Sequence, residues 1–124
     1  MLLLRVPDKR FTSDSTRQRT SLAHLLDEMM LPERFDYRQH YADWVEHVYH
    51  IPPSQPHYES SVNKLLETQF SIHFHVWTDK DVEEVIRYTI DEWHLLWRIV
   101  VFWRAHFFRK EVGFMLRKTA ADAR

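Results

Sequence analysis

Asp8, Lys9, Arg10, Asp14 and Arg17 fall within one short stretch and have the types needed to grip an anion. A guanidinium holds a carboxylate or phosphate through paired hydrogen bonds, and a neighbouring carboxylate fixes its orientation. The stretch is polar and follows an apolar run, Leu2 to Val6, a place where α/β proteins often carry binding residues. The same residues also make an ordinary solvated loop tethered by surface ion pairs of ~0–1 kcal/mol each. Further on, His73, His75 and Trp77 alternate with Ile72, Phe74 and Val76. In an extended segment this puts both imidazoles and the indole on one face. An unperturbed imidazole titrates near pH ~6.5, so His73 or His75 is suited to take a proton from a hydroxyl acceptor, or simply to bond backbone groups at a sheet face.

Two other groupings are weaker. His40, Asp43, His47 and His50 share a stripe of a helical pattern, but His40 is roughly 10 Å from His47 along an axis rising ~1.5 Å per residue. No His-Glu-x-x-His motif occurs, and with Glu46 the stripe reads as a solvated face, so no metal ligands are assigned. Trp93, Trp97, Phe102, Trp103, Phe107 and Phe108 alternate with Arg98, Arg104, Arg109 and Lys110. Such a pattern can stack nucleobases, or it can build a sheet core ending in an adhesive hairpin tip that contacts a partner. Seventeen basic against eighteen acidic side chains give a charge of -1, so nucleic acid is not the expected partner.

Composition narrows the chemistry further. With no cysteine, disulfides, thiolate catalysis and cysteine-based zinc sites are excluded, and cytoplasm is the default compartment. Nor does any Gly-x-Ser-x-Gly elbow occur. The apolar runs are far short of the ~20 residues that cross a bilayer, so no membrane partner is expected. The opening residues lack a basic leader and read as a strand. Gly113 is the only glycine, where an average usage of about 7% would give several more. Dinucleotide fingerprints and P-loops need close backbone approach or positive φ, and so cannot form here.

The elements that must position these residues follow from periodicity. Leu2 to Val6 reads as a strand buried inside a sheet and ended by Pro7-Asp8. Leu22, Leu25, Leu26, Met29 and Met30 line one face of a helix from Thr20 to Pro32; a second runs from Asp36 to His50 on Tyr37, Tyr41, Trp44, Val45 and Val48. Pro52, Pro53 and Pro56 force a linker. A third helix is expected over 61–69, and 70–77 as a strand or extended loop. A capping box at Thr78 and Asp81 opens a fourth helix. Trp97 to Trp103 and Val112 to Arg117 read as a closing hairpin with a long tip, and 119–124 as a frayed end. One α/β domain over residues 1–124 is the expectation.

Leu4 to Thr12 (Leu-x-Val-Pro-Asp-Lys-Arg-x-Thr), the Thr20 to Glu28 helix start, His40-Tyr41-x-x-Trp44-Val45, Ile72 to Thr78 and Gly113 to Lys118 together resemble the C-terminal half of predicted S-adenosylmethionine-dependent methyltransferases of the Rossmann-like class. The resemblance implies a partial sheet in which Leu2 to Val6 is like the fifth strand, the hairpin is like the sixth and seventh, and the last strand inserts antiparallel between the fifth and sixth. It further implies an acceptor-substrate half: Asp8, Lys9, Arg10, Asp14, Arg17 and Trp77 near a small-molecule or saccharide-type acceptor, with His73 and His75 as candidate bases. S-adenosylmethionine enters by resemblance only. The family's glycine-rich strands have no counterpart before Met1, so this chain alone is expected neither to bind the cofactor nor to turn over. An unpaired edge on Leu2 to Val6 would also favour a homo-oligomer, a missing N-terminal partner, or a non-enzymatic interaction module using that edge and the aromatic hairpin.

Overall fold

In a computed structural model that describes residues 1–120, the chain divides into two units: Met1–Thr12 with the segment from Trp77 onward, and Ser13–Val76. The end of the expected frayed tail, 121–124, lies outside the described residues.

The first unit is built on β-branched and aromatic runs. Strands β1 (Leu2–Pro7), β2 (Trp97–Trp103) and β3 (Glu111–Lys118) form an antiparallel sheet in the order β1-β3-β2. Leu4 pairs with Phe114 and Val6 with Val112, while Phe102 pairs with Phe114 from the other side. An irregularity between Ile99 and Val101 resets the alternation of β2, because an extra residue turns the following side chains over. Ile99 and Phe102 therefore share a core with Leu4, Val6, Val112, Phe114 and Leu116. Helix α4 (Asp79–Glu92) supplies Val82, Ile86 and Ile90 to the same core. Its start is the expected capping box: Asp81 accepts from the Thr78 backbone N–H at 2.8 Å and from the Thr78 hydroxyl at 2.7 Å.

β1 departs from the sequence expectation. It has one partner among the described residues, β3, rather than a place inside the sheet. Leu4 and Val6 meet the core, but Leu2 and Leu3 are exposed. The apolar run reads as buried because it is apolar on both faces; only the face toward the α4 core is covered here.

Gly113 lies in the middle strand for close approach, not for unusual backbone angles. A Cβ built there would fall 1.9 Å from the indole ring of Trp103, its neighbour in the ladder. Gly113→Ala is expected to displace that ring and lower stability by about 1–3 kcal/mol in thermal unfolding, and Trp103→Ala in the same chain should recover most of the loss.

Past the end of β1, Asp8 is fully buried. It accepts from Arg10 Nε at 3.0 Å, Arg10 Nη2 at 2.6 Å and the first backbone N–H of α4, Asp79, at 3.1 Å. Arg10 bonds onward to Asp79, which also receives Arg104. The Lys9 backbone N–H donates to the Trp77 carbonyl. Burial alone would raise the Asp8 carboxyl, but the Arg10 side chain and backbone outweigh it and hold the group below its ordinary value of 3.8. A depressed folded pKa gives stability that is complete above the unfolded value and is lost as pH falls through the folded one. Asp8→Asn should therefore cost about 2 kcal/mol at neutral pH, and urea titrations should show the gap to the parent protein closing below pH ~4.

The second unit is helical. α1 (Leu22–Met30), α2 (Tyr37–His47) and α3 (Tyr58–Glu67) follow the periodicity within a few residues. Tyr41 and Val45 of α2 pack with Tyr58, Val62 and Leu65 of α3, joined by Ile72 and Phe74. Residues 70–76 form no helix or strand and bend at Phe74 and His75. With glycine absent from the helix ends, His50, Gln69 and His94 take left-handed angles after α2, α3 and α4, φ 57°, 47° and 50°.

Candidate functional site

Local signals in the second unit bring three imidazoles to one carboxylate. Ser21 caps α1, its hydroxyl accepting from the His24 N–H at 3.2 Å. His24 and Glu28, one turn apart, then share a face. Asp36 caps α2 by accepting from the Arg38 and Gln39 N–H groups, which sets His40 in the second turn. Thr20 pairs with Val76 through N–H to carbonyl at 2.7 Å and through its hydroxyl accepting from the Val76 N–H at 3.1 Å. That pairing fixes His75 beside the start of α1.

His24 Nε2 lies 2.9 Å and His40 Nε2 3.3 Å from Glu28 Oε1, while His75 Nε2 reaches Oε2 at 2.7 Å. The rings stand edge to face, with centroids 5.2 to 6.1 Å apart. Phe35 and Phe74 wall His40 at 4.9 and 5.4 Å. Burial alone would raise the Glu28 carboxyl, but the His75 hydrogen bond and the nearby imidazoles bring it below the ordinary range. Burial pushes the His75 imidazole down, and Glu28 only partly offsets it.

Next to this cluster a cavity of about 300 Å³ is lined by Arg17, Arg19, His24, Gln39, His40 and Asp43 among others. Arg17 is buried and fully engaged. Its Nε donates to Asp43 at 2.6 Å, Nη1 to Asp14 at 2.8 Å and to the His73 carbonyl at 2.6 Å, and Nη2 to the Phe74 carbonyl at 3.3 Å. It also lies over the Trp44 ring. Asp14 accepts in addition from His73 Nδ1 at 2.7 Å.

The charged constellation expected after the first strand is thus two clusters. Asp8 and Arg10 tie the sheet unit to the start of α4, with Lys9 and Trp77 joined by backbone there. Asp14 and Arg17 belong to the helical unit. His73 and His75 do not present one strand face with Trp77: His73 turns to Asp14 and His75 to Glu28. The expected helix stripe also divides, since His40 joins Glu28 while His47 bonds back to the Asp43 carbonyl and His50 lies beyond the helix. The sequence reading does not single out His24 and Glu28, although their i,i+4 spacing is legible.

Loss of Arg17 leaves Asp14 buried without its cation. Arg17→Ala is expected to lower stability by about 3–5 kcal/mol in urea unfolding, and Arg17→Lys should not restore it, because an ammonium cannot serve the four acceptors in one plane. A loss under about 1 kcal/mol would show that the buried fork is not what holds residues 73–74 in place. No family model, curated protein or solved structure matches this chain.

Proposed function

We propose that this chain is the acceptor-substrate part of an S-adenosylmethionine-dependent methyltransferase of the Rossmann-like class. The observation that carries this reading is the strand order β1-β3-β2, with the last strand antiparallel to both neighbours and lying between them. A simple hairpin added to the edge of β1 through β2 would give another order. The polar cavity beside Arg17, His24, Gln39 and His40 supports a hydroxyl-rich or anionic small-molecule acceptor. His40 lines the cavity with one ring nitrogen against Glu28, the arrangement of an oriented base for an acceptor proton. Asp8 and Arg10 are engaged in holding the sheet unit together.

The residues present do not form a cradle for the cofactor. The one glycine, Gly113, is covered by Trp103, and the turn after β1 is filled by the buried Asp8 network. No step through the cofactor follows from these side chains.

A second reading is supported by Phe107 and Phe108, which are 75% and 90% exposed at the hairpin tip, together with the exposed Leu2 and Leu3 of β1. These suit an interaction module that completes another sheet.

Radiolabelled S-adenosylmethionine retained by the chain alone, and by the chain joined to or co-purified with a glycine-rich half, separates the two. The enzyme reading expects retention and methyl transfer only in the combined form, with His40→Ala lowering transfer by about 100-fold. A monodisperse homodimer indifferent to the cofactor in either form would overturn it in favour of the module.

A further inference from the structure

We propose that His24, Glu28, His40 and His75 bind one divalent transition-metal ion, with zinc as the best fit. Each residue offers one ligand atom, and the four atoms lie within 4.8 Å of one another. In each ring it is Nε2 that faces Glu28. Around an ion held at ~2.0–2.2 Å, ligand atoms are roughly 3.4 Å apart, so closure needs shifts of about 1 Å or less, within side-chain reach.

The donor set selects the ion. Three imidazole nitrogens and one carboxylate oxygen suit zinc, and less tightly iron or manganese. Magnesium and calcium require shells made mostly of oxygen. Side-chain caps and one local pairing make the site a built one: the Ser21-capped α1 brings His24 and Glu28, the Asp36-capped α2 brings His40, and the Thr20 to Val76 pairing brings His75. His24 and His40 also border the cavity of about 300 Å³, which gives the ion a route in and leaves room for a water or an oxygen ligand. The hydrogen-bonding pattern points the same way. Among the described residues, the side chains that meet the Glu28 carboxylate are the imidazoles of His24, His40 and His75.

The inference does not depend on the methyl-transfer reading, because its readout is ion binding by the 124-residue chain; with zinc bound, His40 serves as a ligand and not as the base of that reading. Isothermal titration with zinc chloride should give one ion per chain, and magnesium chloride should give none. Cobalt(II) in place of zinc should show visible absorption of a four- or five-coordinate site. His40→Ala and His75→Ala should each weaken zinc binding by about 100-fold or more, beyond what loss of a supporting contact costs. His47→Ala, whose ring bonds to Asp43 outside the cluster, should leave binding unchanged. If His75→Ala does not fold by circular dichroism, the near-isosteric Glu28→Gln decides, with an expected loss of at least about 10-fold. Absence of saturable zinc binding, or binding unchanged by His40→Ala and Glu28→Gln, would overturn the proposal and assign any uptake to scattered histidines.

Discussion

A guanidinium removed from water carries five N–H donors, and each of its three nitrogens needs an acceptor to offset the lost solvent. In the helical unit the buried Arg17 meets this constraint by gathering Asp14, Asp43 and the carbonyls of His73 and Phe74. Three parts of the chain that are distant in sequence converge on that one planar group. Since 70–76 makes no strand ladder, its path depends on such side-chain anchors, with Tyr41 donating to the Phe70 carbonyl at one end and Thr20 pairing with Val76 at the other. Two residues beyond His73, the chain delivers His75 to Glu28. Placement of His75 in the imidazole cluster therefore depends in part on satisfying one buried cation.

The sheet unit answers a related constraint with different residues. There Asp8 is the buried charge, and Arg10 and the first N–H of α4 neutralise it. A carboxylate at a helix N-terminus meets the positive end of the helix dipole as well as a donor. The two networks are separate solutions to the same problem, which is why residues adjacent in the sequence, 8–10 and 14–17, serve different units.

Much of the architecture was legible because it is local. The α4 capping box, the β2 and β3 runs, and the stripes of α2 and α3 depend on residues a few positions apart. The register of β1 with β3 and the exposure of Leu3 depend on which faces find partners, and periodicity does not encode that. The cluster was half legible. His24 and Glu28 are one turn apart on a predicted helix, but the stripe reading groups His40 with His47 and His50 on its own element. The alternation at 72–77 wrongly suggests a pleated face, since Arg17 and Thr20 hold that segment by other bonds.

The β1 ladder joins Leu2 to Leu116, with the whole helical unit threaded between the two strands in sequence. Such high contact order is slow to form, because loop closure must precede any gain from pairing. Residues 13–76 form a compact unit of their own, while the leucine-rich β1 has to wait for β3, a partner more than a hundred residues later in the chain. Until that pairing forms, β1 is an exposed apolar edge, the kind of segment through which incompletely folded chains associate.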